Sequence, residues 1–78
     1  MGWRYIAARE IREAPDFSYI EEVWTVREYY EKIEAWTESA MRPYGTTRED
    51  LIHDLEMMLE DVKRGDYLEL SEGVIKSG

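Results

Sequence analysis

The chain has 78 residues, with eighteen Asp and Glu against ten Lys and Arg, a formal net charge of −8, and no cysteine. That length allows one small core and no second domain, and the missing cysteine excludes a disulfide framework, a thiolate zinc site and a cysteine nucleophile. The basic residues are spread along the chain, so the charge opposes binding to DNA, RNA or anionic membranes.

Trp3 to Glu10 reads as an extended strand, with Trp3, Tyr5 and Ala7 on one side and Arg4, Ile6 and Ala8 on the other. Glu13-Ala14-Pro15-Asp16 interrupts it, because proline lacks a donor and biases the residue before it away from helix. Phe17 to Val26 carries the β-rich runs Tyr19-Ile20 and Val23-Trp24-Thr25-Val26, and Lys32 to Glu38 alternates in the same manner. A second reading stands beside this one. Ile20, Val23, Trp24, Tyr30, Ile33 and Trp36 also fall at helical intervals, and no Gly, Pro or Asn marks a turn between Val26 and Lys32. Periodicity alone therefore leaves Ser18 to Met41 as two strands or as one long helix.

Arg42-Pro43-Tyr44-Gly45 is a loop. Thr46 to Gly65 is the clearest element: Leu51, Leu55, Met58 and Val62 recur at helical spacing, and Ile52 and Leu59 widen the apolar stripe. Thr46 or Thr47 supplies the N-cap, Thr46 with Glu49 having the form of a capping box and Thr47 with Asp50 a weaker version. Lys63 and Arg64 complement the dipole of the last turn, and Gly65 offers the left-handed residue that ends it. Asp66 to Leu70 suggests a short final strand. Residues 1–70 form the single domain and 71–78 a loose tail. No run reaches the length of a membrane span and the N-terminus lacks a signal-peptide core, which points to a soluble, cytoplasmic protein.

Few residues offer chemistry. His53, the only histidine, lies about 200° around the helix from the apolar stripe and so faces solvent. Asp50, Asp54 and Asp61 with Glu49, Glu56 and Glu60 make a dense acidic helix surface, which reads as a solvated face rather than a cation site. Glu21, Glu22, Glu34 and Glu38 can meet across strands, a coincidence expected in so acidic a chain. No phosphate loop or nucleophile elbow is present. The expectation is no enzyme, no cofactor and no metal. The surplus lies in the aromatic residues, ten in all, which are more than the helix side of one small sheet can cover. The residues expected to meet a protein partner are Trp24, Arg27, Tyr29, Tyr30, Trp36, Asp54 and Asp61, with Arg27, Tyr29 and Tyr30 exposed in a connecting turn.

The order Trp-x-Tyr, Tyr-Ile-Glu-Glu-Val, Glu-Ala-Trp-Thr-Glu and Pro-Tyr-Gly-Thr-Thr, followed by Leu51-Ile-His-Asp-Leu-Glu-Met-Met-Leu, resembles a family of small uncharacterised proteins of bacteria and their phages. Most of these carry a Gly-containing hairpin turn where this chain has Arg27-Glu28-Tyr29-Tyr30-Glu31. The order is also broadly similar to HicB-like antitoxin domains, a three-stranded meander followed by a helix and a further strand. The resemblance implies an α+β fold: a small antiparallel β-sheet of three to four strands with one α-helix packed on one face. It implies a phage or mobile-element regulator or inhibitor that binds a basic or nucleic-acid-handling protein, in the manner of some anti-CRISPR proteins. The alternatives are a HicB-like toxin-binding domain, or a homodimer whose open sheet face is covered by its twin.

Overall fold

A computed structural model describes residues 2–78 as six elements: β1 (Trp3–Glu13), β2 (Ile20–Tyr30), β3 (Ala35–Trp36), α1 (Arg48–Val62), β4 (Asp66–Glu69) and β5 (Val74–Ser77). The fold is α+β. Ser18 to Met41 is strand and turn, not helix. The sheet has five strands in the order β3-β2-β1-β4-β5, and it is mixed rather than antiparallel. β1 pairs antiparallel with β2 but parallel with β4, because the chain crosses over through α1 before β4 returns beside β1. The segment expected as a loose tail supplies the fifth strand, β5, antiparallel to β4 with Leu68 opposite Ile75.

Strand parity sorts the side chains. Partners in register share a face, so Tyr5, Ala7 and Arg9 lie with Glu28, Val26 and Trp24, and with Tyr67 and Glu69 of β4. Ile6 and Ala8 lie on the other face with Arg27, Thr25 and Leu68, and Tyr29 and Trp36 join them there. That second face holds the core: Ile6, Ala8 and Leu68 have no exposed surface, Tyr29 is buried, and Trp36 and Leu70 pack against them. The sheet curls around this cluster. A Cβ on Gly73, in the β4–β5 turn, would lie 3.5 Å from the Trp36 ring on the opposite edge strand, and Gly73 adopts φ +66. Burial of Ile6 and Leu68 contributes about 1.5–3 kcal/mol each.

The helix lies across β1 on the convex face. Thr47 is its N-cap, accepting from Asp50 N–H at 3.0 Å, while the Asp50 carboxylate accepts from the Thr46 hydroxyl at 3.1 Å. Lys63 is the C-cap and Arg64 lies beyond it, so no basic residue stands in the last turn, and Gly65 makes the left-handed exit at φ +93. The inward face differs from the expected stripe. Met58 is buried and Leu51 and Val62 are half-buried, whereas Ile52, Leu55 and Leu59 remain about half exposed. Asp54 and Asp61 take the inward positions instead. Asp61 accepts the Tyr5 backbone N–H at 3.1 Å and Asp54 accepts the Tyr5 hydroxyl at 2.5 Å and Tyr44 N–H at 2.8 Å. The helix is therefore rotated to bond β1, and its acidic residues are not a uniformly solvated face.

Candidate functional site

Beyond Arg9, β1 has no strand partner but β2 among the described residues, because β4 ends its pairing there. Residues 10–23 consequently leave the body of the sheet as a two-stranded ribbon, in register from Glu10↔Val23 to Glu13↔Ile20. An eleven-residue strand is about 36 Å long, close to the molecule's 42 Å long dimension. The tip is a tight turn. Pro15 follows Ala14, whose carbonyl accepts Phe17 N–H at 2.8 Å, Asp16 accepts Ser18 N–H at 3.0 Å, and Ala14 N–H closes the hairpin on Tyr19 O at 3.0 Å. The Ser18 bonds hold the Asp16 carboxyl below the usual range. Phe17 stands at φ +59, a left-handed conformation that a bulky side chain rarely adopts and that costs about 1–3 kcal/mol.

The ribbon is both apolar and acidic. Phe17 is 79% exposed, Ile20 69% and Tyr19 57%, and Trp24 at the ribbon's base is 51% exposed. In residues 10–23, Glu10, Glu13, Asp16, Glu21 and Glu22 face a single basic residue, Arg12, for a net −4 out of the chain's −8. Arg12 is taken by Glu10 at 2.6 Å, and Glu22 reaches Arg9 at 3.2 Å and accepts from the Trp24 indole at 2.7 Å. Trp24 also meets Tyr67 edge to face at 5.1 Å between centroids. These two rings with Ala7, Val26 and Val62 line an open groove of about 570 Å³ on the convex face.

The residues expected at a partner surface do not come together. Arg27 and Tyr29 are buried and Tyr30 is half-buried, a correction to their expected exposure. The reason is the turn: β2 continues through Tyr30, and the chain reverses one step later, at Glu31–Glu34, with Glu34 at φ +50. Arg27 donates to the carbonyls of Thr37, at 3.0 Å, and of Glu38, and pins the segment after β3. Tyr29 and Trp36 are register partners on the concave face, while Trp24 lies on the convex one. Asp54 and Asp61 meet only through Tyr5. The exposed tip, Phe17, Tyr19 and Ile20, is not among the residues that the sequence points to. Pro15-Asp16 between two β-rich runs is the signal that locates it, once the punctuation is read as a hairpin turn.

Desolvation, then the Asp54 hydrogen bond, pushes the Tyr5 hydroxyl well above its ordinary value, the opposite of what a nucleophile or base requires. Arg9 holds the Glu69 carboxyl below its ordinary value in a 2.6 Å ion pair. No three metal-ligating side chains converge among the described residues, and no helix among them is long and apolar enough to cross a membrane. Compared with protein-family models, with curated proteins and with solved structures, the chain matches none of them.

Proposed function

We propose that the chain is a non-enzymatic, acidic protein-binding module whose contact element is the β1–β2 ribbon, and that its partner is a basic protein. One observation carries this reading: half of the net charge and three mostly exposed apolar side chains, Phe17, Tyr19 and Ile20, occur together on one projecting element. Exposed aromatic residues ringed by carboxylates complement an apolar pocket set in a basic surface. A regulator or inhibitor from a phage or mobile element has this character. Its narrower form is a nucleic-acid mimic, in which the carboxylates occupy phosphate positions on a nucleic-acid-handling protein. A HicB-like toxin-binding role rests on element order alone and has no residue of this chain behind it.

Affinity capture with the tagged chain from host lysate, at low and at high salt, tests the proposal. Recovery of one basic protein, released as salt rises and displaced by added DNA if the narrower form holds, is the expected result. Recovery that is indifferent to salt overturns the electrostatic reading, because screening must weaken contacts between exposed charges.

A further inference from the structure

The ribbon's backbone carries a second recognition surface. In β2, Val26 O accepts Met41 N–H at 2.7 Å, Glu28 O accepts Thr37 N–H at 3.1 Å, and Glu28 N–H donates to Thr37 Oγ1 at 3.1 Å. Even-numbered residues of this strand therefore turn their N–H and C=O groups away from β1. Odd-numbered ones bond to it, as Glu31 N–H to Gly2 O and Ala14 N–H to Tyr19 O show at the strand's two ends. The same alternation aims the backbone groups of Ile20, Glu22 and Trp24 outward. The segment after β3 covers the edge only at Val26 and Glu28, and β3 itself pairs only with Tyr29 and Tyr30. From Ile20 to Trp24 the edge has no strand beside it among the described residues.

We infer that the Ile20–Trp24 edge of β2 receives an extended basic segment of the partner as an added strand. This rests on the basic-partner reading above and gives it a mode. An open edge of this length is a template for strand addition. Here the chemistry beside it selects the occupant. Glu21 on one face and Glu22 on the other flank the open groups, and among the described residues no ion pair involves Glu21. A strand bearing Lys or Arg opposite them gains cross-strand attraction, and an apolar residue beside Ile20 or Trp24 gains cover. A second copy is disfavoured by the same charges: antiparallel overlap of two Ile20–Trp24 edges sets Glu22 against Glu22, with −4 on each ribbon. The opposite edge, at Ile11 and Glu13, is shorter and carries Arg12, so it suits a basic strand less well.

The test is residue-resolved amide hydrogen exchange of the full chain, alone and with a blocked peptide of alternating Lys and Val. A Glu/Val peptide is the control. In the free chain the amides of Ile20, Glu22 and Trp24 exchange fast, and the Lys/Val peptide alone slows them. Glu22→Pro, which removes one outward donor and leaves the bonds to β1 intact, weakens peptide binding about tenfold or more. Glu22→Gln, which removes the charge and the Arg9 ion pair but keeps the side-chain length and an acceptor for the Trp24 indole, weakens it by up to about fivefold. Equal protection by both peptides, or none at these amides, overturns the inference. So does protection in the free chain that grows with protein concentration, which would assign the edge to a second copy. A basic protein that is captured yet leaves these amides fast overturns strand addition alone. A chain that takes up neither the peptide nor any basic protein removes the underlying reading.

Discussion

Leu68→Ala is expected to abolish cooperative folding near physiological temperature. Leu68 has no exposed surface and sits on the concave face with Ile6, Ala8 and Tyr29. Truncating a buried leucine costs about 2–5 kcal/mol, while a chain of this size rarely holds more than about 3–5 kcal/mol in total. Leu59→Ala, on the helix that the sequence marks most clearly, is the matched comparison. Leu59 is 53% exposed, and its loss should cost about 0.5 kcal/mol. Urea titration of both variants measures the contrast. Equal losses would mean that the helix, and not the curled sheet, holds the principal core.

Arg27→Met should be the second most damaging change. Arg27 is 5% exposed, and its guanidinium donates to the Thr37 and Glu38 carbonyls and the Thr25 hydroxyl. Methionine keeps the apolar stem but leaves those acceptors without a donor, a loss of about 2–3 kcal/mol. The segment from Thr37 to Met41, which covers the β2 edge, should loosen with it. The urea midpoint reports the first effect and amide exchange at Met41 the second. A variant that folds as firmly as the wild type and loses only partner binding would return Arg27 to the contact surface that its sequence context suggested.

These outcomes bear on what the sequence discloses. The helix was legible because its cap, spacing and glycine exit are local signals that agree. The rotation of the helix was not legible, since it depends on Tyr5 bonding Asp54 and Asp61, residues forty-nine and fifty-six positions away in the chain. An aspartate inside an apolar stripe looks like solvent face until its distant donor is known. The expected faces of β1 match the structure, because alternation is also local. The expected end of β2 at Val26 comes too early: Arg27-Glu28-Tyr29-Tyr30 has no turn residue because it is strand, and the reversal uses Glu34 at positive φ without a glycine. Strand β5 is hidden in the expected tail for a different reason. Val74 and Ile75 favour a strand, but the run is only four residues long between Gly73 and Gly78, and pairing with β4 is what completes it. For the candidate site, Trp24 and the acidic character were legible, but the aromatic tip was not. Its importance lies in projection from the sheet, which arises only because β4 stops pairing at Arg9.

The division of labour is the central claim: the curled sheet holds the molecule together and the ribbon meets the partner. The variant Phe17→Gly, Tyr19→Thr, Ile20→Thr tests it most directly, by its melting temperature and its capture of partner from lysate side by side with the wild type. Glycine accepts the φ of +59 that phenylalanine adopts at a cost, and the three side chains are mostly solvent-exposed. The account predicts a melting temperature within about 3 °C of wild type and loss of the captured protein. A variant that melts as the wild type does and still captures the same protein would contradict it.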